Sequence, residues 1–317
     1  MTIDRAVRVL GWVPKLERGI CLEYCNLILI FSLSSTGIII VMEKFKKKYF
    51  RKVVALPQDH GSWVFILMPL FIGFFAGKNF STASIYLVMA ALAAFFIRQP
   101  ATVAVKAYAG RRSRTDLPVA RFWILVYGTI ALVMLVGLML RGFAYVLYLA
   151  IPGIAIFAWH LYLVSNRDER KQAGLEVVAS GALALAAPAA LWVADGGYSA
   201  QGWVLWLLVW FQSAASIIHA YMRLNHRTQA QIPARAEKIR LGKRALMYTS
   251  FNFVLSLTLG VIGLLPRFIF IPFLLQFGET LWWAFNPDIK AKSKAVGFRQ
   301  LAISTLFTIL FIIFREI

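Results

Sequence analysis

The residues Asp59, His60 and Gly61, inside the stretch LPQDHGSWVFILMPLFIGFFAG (56–77), place an acid, an imidazole and a bare backbone at the mouth of a long apolar run. At a helix N-terminus the dipole holds an imidazole neutral. His60 would then donate from one nitrogen and accept at the other near neutral pH. Asp59 or Ser62 suits the free N–H groups of a first helical turn, and Gly61 would let a ligand or another chain approach the backbone. His60 is therefore the candidate proton-handling residue, with Glu176 as its candidate partner and with Asp59 and Trp63 as candidate substrate contacts.

Further candidates come from polar residues within apolar runs. An ionisable side chain at mid-span costs roughly 2.5–3.5 kcal/mol on insertion scales, so those present point to a cavity or a site. They are His160, Glu176, Gln212, His219, Asn252, Gln276 and Glu279. Gln212, Ser216 and His219, spaced four and three apart, share one helical face that Arg223 continues. Taken singly, each is more often a hydrogen-bonding bridge between helices; their convergence toward one set of helix ends favours a site. Pro69, Pro152, Pro188 and Pro272 also fall inside expected spans, where each frees a backbone carbonyl and can kink a helix around a chamber.

The elements that must carry these residues are membrane helices. The chain has 317 residues, 60% hydrophobic and 15% charged, with a mean hydropathy of +0.70, which excludes an ordinary soluble domain. Apolar runs near 62–77, 81–97, 119–140, 143–164, 175–194, 202–221, 245–265, 267–285 and 299–314 predict an all-α integral membrane protein of nine spans. The net charge of +20 is distributed in alternation. Links at 44–52, 98–121, 167–171, 223–244 and 290–299 hold 26 of the 34 Lys and Arg, and the intervening links with the C-terminal tail hold four. Positive charge follows the cytoplasmic side, so the core is expected N-in and C-out, as a multi-pass protein of the plasma membrane. Nucleic acid is not the expected partner, because the aromatics lie in the spans rather than among the basic links. The expected partner is the bilayer itself.

Residues 1–43 read as an extension and 44–317 as the membrane domain. The apolar run at 27–42 has 16 residues, and no A-x-A cleavage pattern follows it. Cys21 and Cys25 match neither a zinc nor a redox spacing. Neither an internal repeat nor an oligomeric state is indicated.

The opening motif, with FFIRQPATVAVKAYAGRR after the second run and NRDERKQAGLEVVASGALALAAPAAL after the fourth, resembles the YwiC-like family of bacterial membrane proteins over nearly all of residues 53–317. A more distant similarity is to the UbiA superfamily of intramembrane prenyltransferases. That resemblance implies a nine-helix bundle, N-in and C-out, with a cavity roofed by the cytoplasmic links after helices two and six. It also implies an isoprenoid or other anionic lipid head as partner. Enzymes of that superfamily hold a prenyl diphosphate through magnesium on two Asp-rich motifs, because a hard cation needs several carboxylate oxygens. Here those links contain one acid each, Asp116 and Glu237, so magnesium is not supported, no metal ligands are assigned and the cofactor is left open. An Asn166-x-Asp168 echo follows the fourth run instead.

Positive charge stands where those acids would be. Arg98, Gln99 and Lys106 on one roof, Asn166 and Arg167 after the fourth run, and Arg223 on the other roof are candidate substrate contacts. His160, Gln212 and His219 join them, since Arg and Lys can hold phosphate without a metal. Three functional classes follow: a prenyl- or lipid-modifying enzyme using His60 and Glu176, a transporter or binding protein for a small anion or lipid, and an accessory subunit whose polar residues only join helices.

Overall fold

The computed structural model describes residues 43, 49–57, 62–77, 79–166 and 173–316. Among them every regular element is a helix, and residues from Lys52 onward form one compact unit. In chain order the helices are α1 (Lys52–Ala55), α2 (Val64–Ala76), α3 (Thr82–Tyr108), α4 (Leu117–Leu140), α5 (Leu147–Ser165), α6 (Ala173–Ala184), α7 (Ala186–Asp195), α8 (Gln201–His226), α9 (Arg235–Val261), α10 (Phe270–Phe285) and α11 (Ser293–Glu316).

Among the described residues, six helical segments are long and apolar enough to cross a membrane: Thr82–Tyr108, Arg114–Leu140, Ala144–Ser165, Ala173–Asp195, Gln201–His226 and Ser293–Arg315. The chain is thus a multi-pass membrane protein. The other three expected runs are also helical, but they fall short of spanning criteria for distinct reasons. Helix α2 has 13 residues and α10 has 16, about 20 and 24 Å at 1.5 Å per residue, against a hydrocarbon core of about 30 Å. Helix α9 is 27 residues long, but its first ten, RAEKIRLGKR, are largely charged. Apolar residues that lengthened the 245–265 run lie past the helix end, where Gly263 turns the chain at φ 77°.

The centre of the bundle is α8. From Gln212 to His219 every residue of it is buried, the pattern of a helix enclosed on all sides. It packs against α6, α7, α9 and α11, with α10 and α2 also touching it. Helices α4 and α5 lie further out, and Leu125, Leu132 and Ile154 on them are exposed, as side chains facing acyl chains would be. Helices α2 and α7 approach closely through small residues. A methyl group added at Gly73 would meet Ala187 O at 2.3 Å, and one at Gly77 would meet Ala194 Cβ at 2.5 Å, so the GFFAG sequence acts as a small-residue packing face.

Proline explains one break in the bundle. The run at 175–194, expected as one helix, divides at Leu185 into α6 and α7. Pro188 has no N–H to offer Ala184 O, and Leu185 N–H bonds Ala182 O at 3.3 Å instead of Gly181 O. Trp206 Nε1 on α8 donates to the released Gly181 O at 2.9 Å, and its stacked neighbour Trp210 donates to Val177 O at 2.8 Å. Pro69 and Pro152 do lie inside helices. Pro272 instead occupies the first turn of α10, where a missing N–H costs no helical bond. It marks no kink.

Candidate functional site

The expected face of α8 is buried, and two other helices bring matching polar faces to it. Gln276, Glu279, Thr280 and Trp283 on α10 recur at helical spacing, as do Arg299, Gln300 and Ser304 on α11. Gln276 Nε2 donates to the Gln212 carbonyl at 3.0 Å, and Gln300 Nε2 donates to Ser216 Oγ at 3.1 Å. On the α9 side, Asn252 Nδ2 donates to the Phe211 carbonyl at 2.8 Å. These bonds fix the three-helix contact and satisfy groups that would be costly to bury alone.

One geometric detail fixes the tautomer of His219. Thr280 has a single hydroxyl hydrogen, and it goes to the Gln276 carbonyl at 2.9 Å. His219 Nδ1, 3.0 Å from the same hydroxyl oxygen, must therefore be the donor. In the neutral ring His219 Nε2 is left as an acceptor, buried and without a partner among the described residues. Gln276 Oε1 is likewise a buried acceptor without a partner among the described residues, its orientation set by the bond from Nε2. Both residues line a cavity of about 10 Å³, room for about one water.

Two guanidinium groups reach the same cavity. Arg223 is 6% exposed and lies 3.8 Å from the centre of the Trp283 ring, while Arg299 lies 5.0 Å from it. Arg299 Nε donates to Glu279 Oε1 at 2.8 Å, with the Glu279 side chain 9% exposed and that of Arg299 45% exposed. Arg223 makes no hydrogen bond to any described residue, so its planar fork of donors is held by the indole face and left open toward the cavity. Two cations, one carboxylate and two acceptors without partners among the described residues thus converge within about two turns of the helix ends that carry the basic links 223–244 and 290–299. The cavity itself has room for about one water, so such a set can present donors to an oxyanion only at its mouth, where Arg223 and Arg299 stand.

The other expected site residues lie elsewhere or in other roles. Asp59, His60 and Arg167 fall outside the described residues. The first position of the α2 cap is Trp63, which supplies no side-chain cap. Its ring packs edge-on against Phe95 and Phe96. Glu176 is exposed in the first turn of α6 and accepts from Tyr221 Oη at 2.7 Å, a tie between α6 and α8. Gln99 Nε2 donates to the Val53 carbonyl at 2.9 Å. Arg98 and Lys106 are half-buried on α3, which packs on α4, α5 and α7 rather than on the helices that hold Arg223. His160 is half-buried on α5, and Asn166 is exposed at its C-terminal cap.

Sequence reasoning placed Gln212, His219 and Arg223 on one face and named Gln276 and Glu279 among the converging polar residues, but missed Arg299 and Trp283 as their companions. Arg299 counted as a link charge, although it lies in the second turn of α11. The available signal was the Glu279, Trp283 pair, an acid inside an apolar run with an aromatic one turn on. Among the described residues no three His, Cys, Asp or Glu side chains come together as a metal-holding group.

Neither a curated protein nor a solved structure matches the chain. Residues 56–191, from the entrance of α2 through most of α7, match the model of the YwiC-like protein family.

Proposed function

We propose that this polytopic membrane protein binds an anionic group, either a small oxyanion or the head of an anionic lipid, at Arg223, Trp283 and Arg299. The observation that carries the reading is the Arg223 guanidinium, seated on an indole face in a residue only 6% exposed, reachable from the cavity and without a hydrogen-bond acceptor among the described residues. A cation that gives up most of its hydration without protein acceptors favours a ligand or water that meets its donors. In this reading the basic links lie on the cytoplasmic side of a plasma membrane, and they concentrate anions at the entrance. The site lies on α8, α10 and α11, C-terminal to the family match.

The test is calorimetric titration of the purified full-length protein with inorganic phosphate and, separately, with a short-chain monophosphate lipid. Saturable binding that is lost in Arg223→Gln supports the reading, and the probe that binds more tightly separates free anion from lipid head. Equal binding by the native protein and Arg223→Gln would remove it.

A second reading, a UbiA-like prenyl- or lipid-modifying protein of nine spans, draws support from an apolar groove of about 410 Å³ between α2 and α11, lined by Val64, Met68, Phe71, Leu301 and Ile309. A polyisoprenoid tail has the shape and polarity of such a groove. His60 and Glu176 would then handle protons. Loss of a lipid product in His60→Ala, with the protein still folded in the membrane, would favour it over simple binding.

A further inference from the structure

We infer that the anion site is one end of a gated path through the bundle, so that the protein moves the anion across the membrane as well as binding it. This rests on the anion-binding reading above. At the opposite end of the same three helices lies a second cavity of about 840 Å³, a vestibule lined by Asp195, Gln201, Leu208, Ile269, Phe311 and Arg315. It opens where the links carry little charge. Helices α8 and α11 are each long and apolar enough to span a membrane, so their two ends lie on opposite sides.

One face of each helix joins the two cavities. On α11 the positions run from Arg299, Gln300 and Ile303 at the anion site through Ser304, Phe307 and Thr308 to Phe311 and Arg315 at the vestibule. On α8 they run from Arg223 and His219 through Ser216 and Gln212 to Leu208 and Gln201. On α10 they run from Glu279 and Gln276 through Phe273 to the preceding Ile269. Ile303 lines one cavity and Phe311 the other, eight helical steps further on, about 12 Å at 1.5 Å per residue. The septum is therefore much thinner than the roughly 30 Å hydrocarbon layer.

The septum has two layers. On the anion side Gln212, Gln276 and Ser304, all buried, offer hydrogen-bonding groups that could replace an ion's hydration. On the vestibule side Phe273, Phe307 and Phe311 close the seam. They are 1%, 0% and 1% exposed, with ring centres 5.0 Å apart for 273 and 307, 6.4 Å for 273 and 311, and 5.8 Å for 307 and 311. Apolar rings at a constriction bar a hydrated ion until they move apart. A polar seam serving only to join helices would need neither a large vestibule nor a cation pair at its other end.

The test is efflux of radiolabelled inorganic phosphate from liposomes containing the full chain, set beside phosphate binding by the same preparations. Phe307→Ala widens the septum and is expected to raise efflux at least fivefold over the native protein. Phe307→Leu, nearer in volume and more secure in folding, should raise it about twofold, and Arg223→Gln should bring it to the level of protein-free vesicles. If both Phe307 variants bind phosphate yet leak no more than empty vesicles, the path is refuted while the binding reading stands. If the native protein binds no phosphate, the reading beneath fails and the path fails with it.

Discussion

Replacing Glu279 by Gln should weaken the fold and strengthen the site, two effects of opposite sign from one atom pair. Glu279 is the carboxylate that bonds Arg299, and Arg223 shares the Trp283 ring with Arg299. Two guanidiniums and two carboxylates, Glu279 and the Asp288 that also attracts Arg223, give a local charge near zero, and the amide raises it to about +1. Breaking a fully buried pair costs about 3–5 kcal/mol. Arg299 is nearly half exposed, so solvent screens much of that loss and about 1–2 kcal/mol is expected. The freed charge acts on an incoming anion, and about a tenfold gain in phosphate affinity at low salt is expected, equivalent to about 1.4 kcal/mol. The gain should shrink as added salt shortens the screening length. Thermal unfolding in detergent reads the first effect, and phosphate titration at two ionic strengths reads the second. A Glu279→Gln variant that melts earlier and binds phosphate more weakly would refute the reasoning, because Glu279 would then be needed by the ligand rather than opposed to it.

Other substitutions probe the packing that positions the site. Gly73→Leu would drive a side chain into the Ala187 carbonyl, 2.3 Å from the nearest Cβ position, and should destabilise by about 3 kcal/mol in a detergent melt, with a wild-type melting curve as the contrary result. Trp206→Phe leaves the Gly181 carbonyl at the α6–α7 break without its donor; about 1–2 kcal/mol should be lost, and a neutral outcome would mean the break needs no such support. Thr280→Val strands the N–H of His219 Nδ1 and should lower stability by about 1–3 kcal/mol. Thr280→Ser should restore most of it, and equal melts for the Val and Ser variants would show that the hydroxyl is not the acceptor. Tyr221→Phe removes an exposed tie to Glu176 and should change stability by less than about 0.5 kcal/mol and phosphate affinity not at all; a marked loss of affinity would bring Glu176 back to the site.

The all-helical membrane character was legible in the sequence because hydropathy and run length report directly on burial in lipid. Helix ends were less so. The 267–285 run counted Arg267 to Ile269 as span, yet α10 begins at Phe270, since apolar residues are as acceptable in a membrane-facing turn as in a helix. The division at Leu185 was hinted at by Pro188 but not deducible from it, because Pro69 and Pro152 sit inside helices that continue past them. The 3.6-residue period predicted that Gln212, Ser216, His219 and Arg223 share a face. What faces them depends on which helices pack together, a long-range property that periodicity does not encode. For that reason Arg299, 76 residues beyond Arg223, passed as one more basic residue in a charged link. The Arg98, Lys106 and Arg223 set was assembled by analogy of links, whereas the structure seats Arg98 and Lys106 on α3 and Arg223 among α8, α10 and α11.

The central claim is that Arg223 is buried to meet an anion, and anomalous diffraction from crystals soaked in selenate tests it most directly. The account predicts a selenium peak within hydrogen-bonding distance of the Arg223 guanidinium, beside Trp283 and Arg299, that disappears in Arg223→Gln crystals. A guanidinium fully bonded to protein oxygens, with no peak beside it at saturating selenate, would contradict the account.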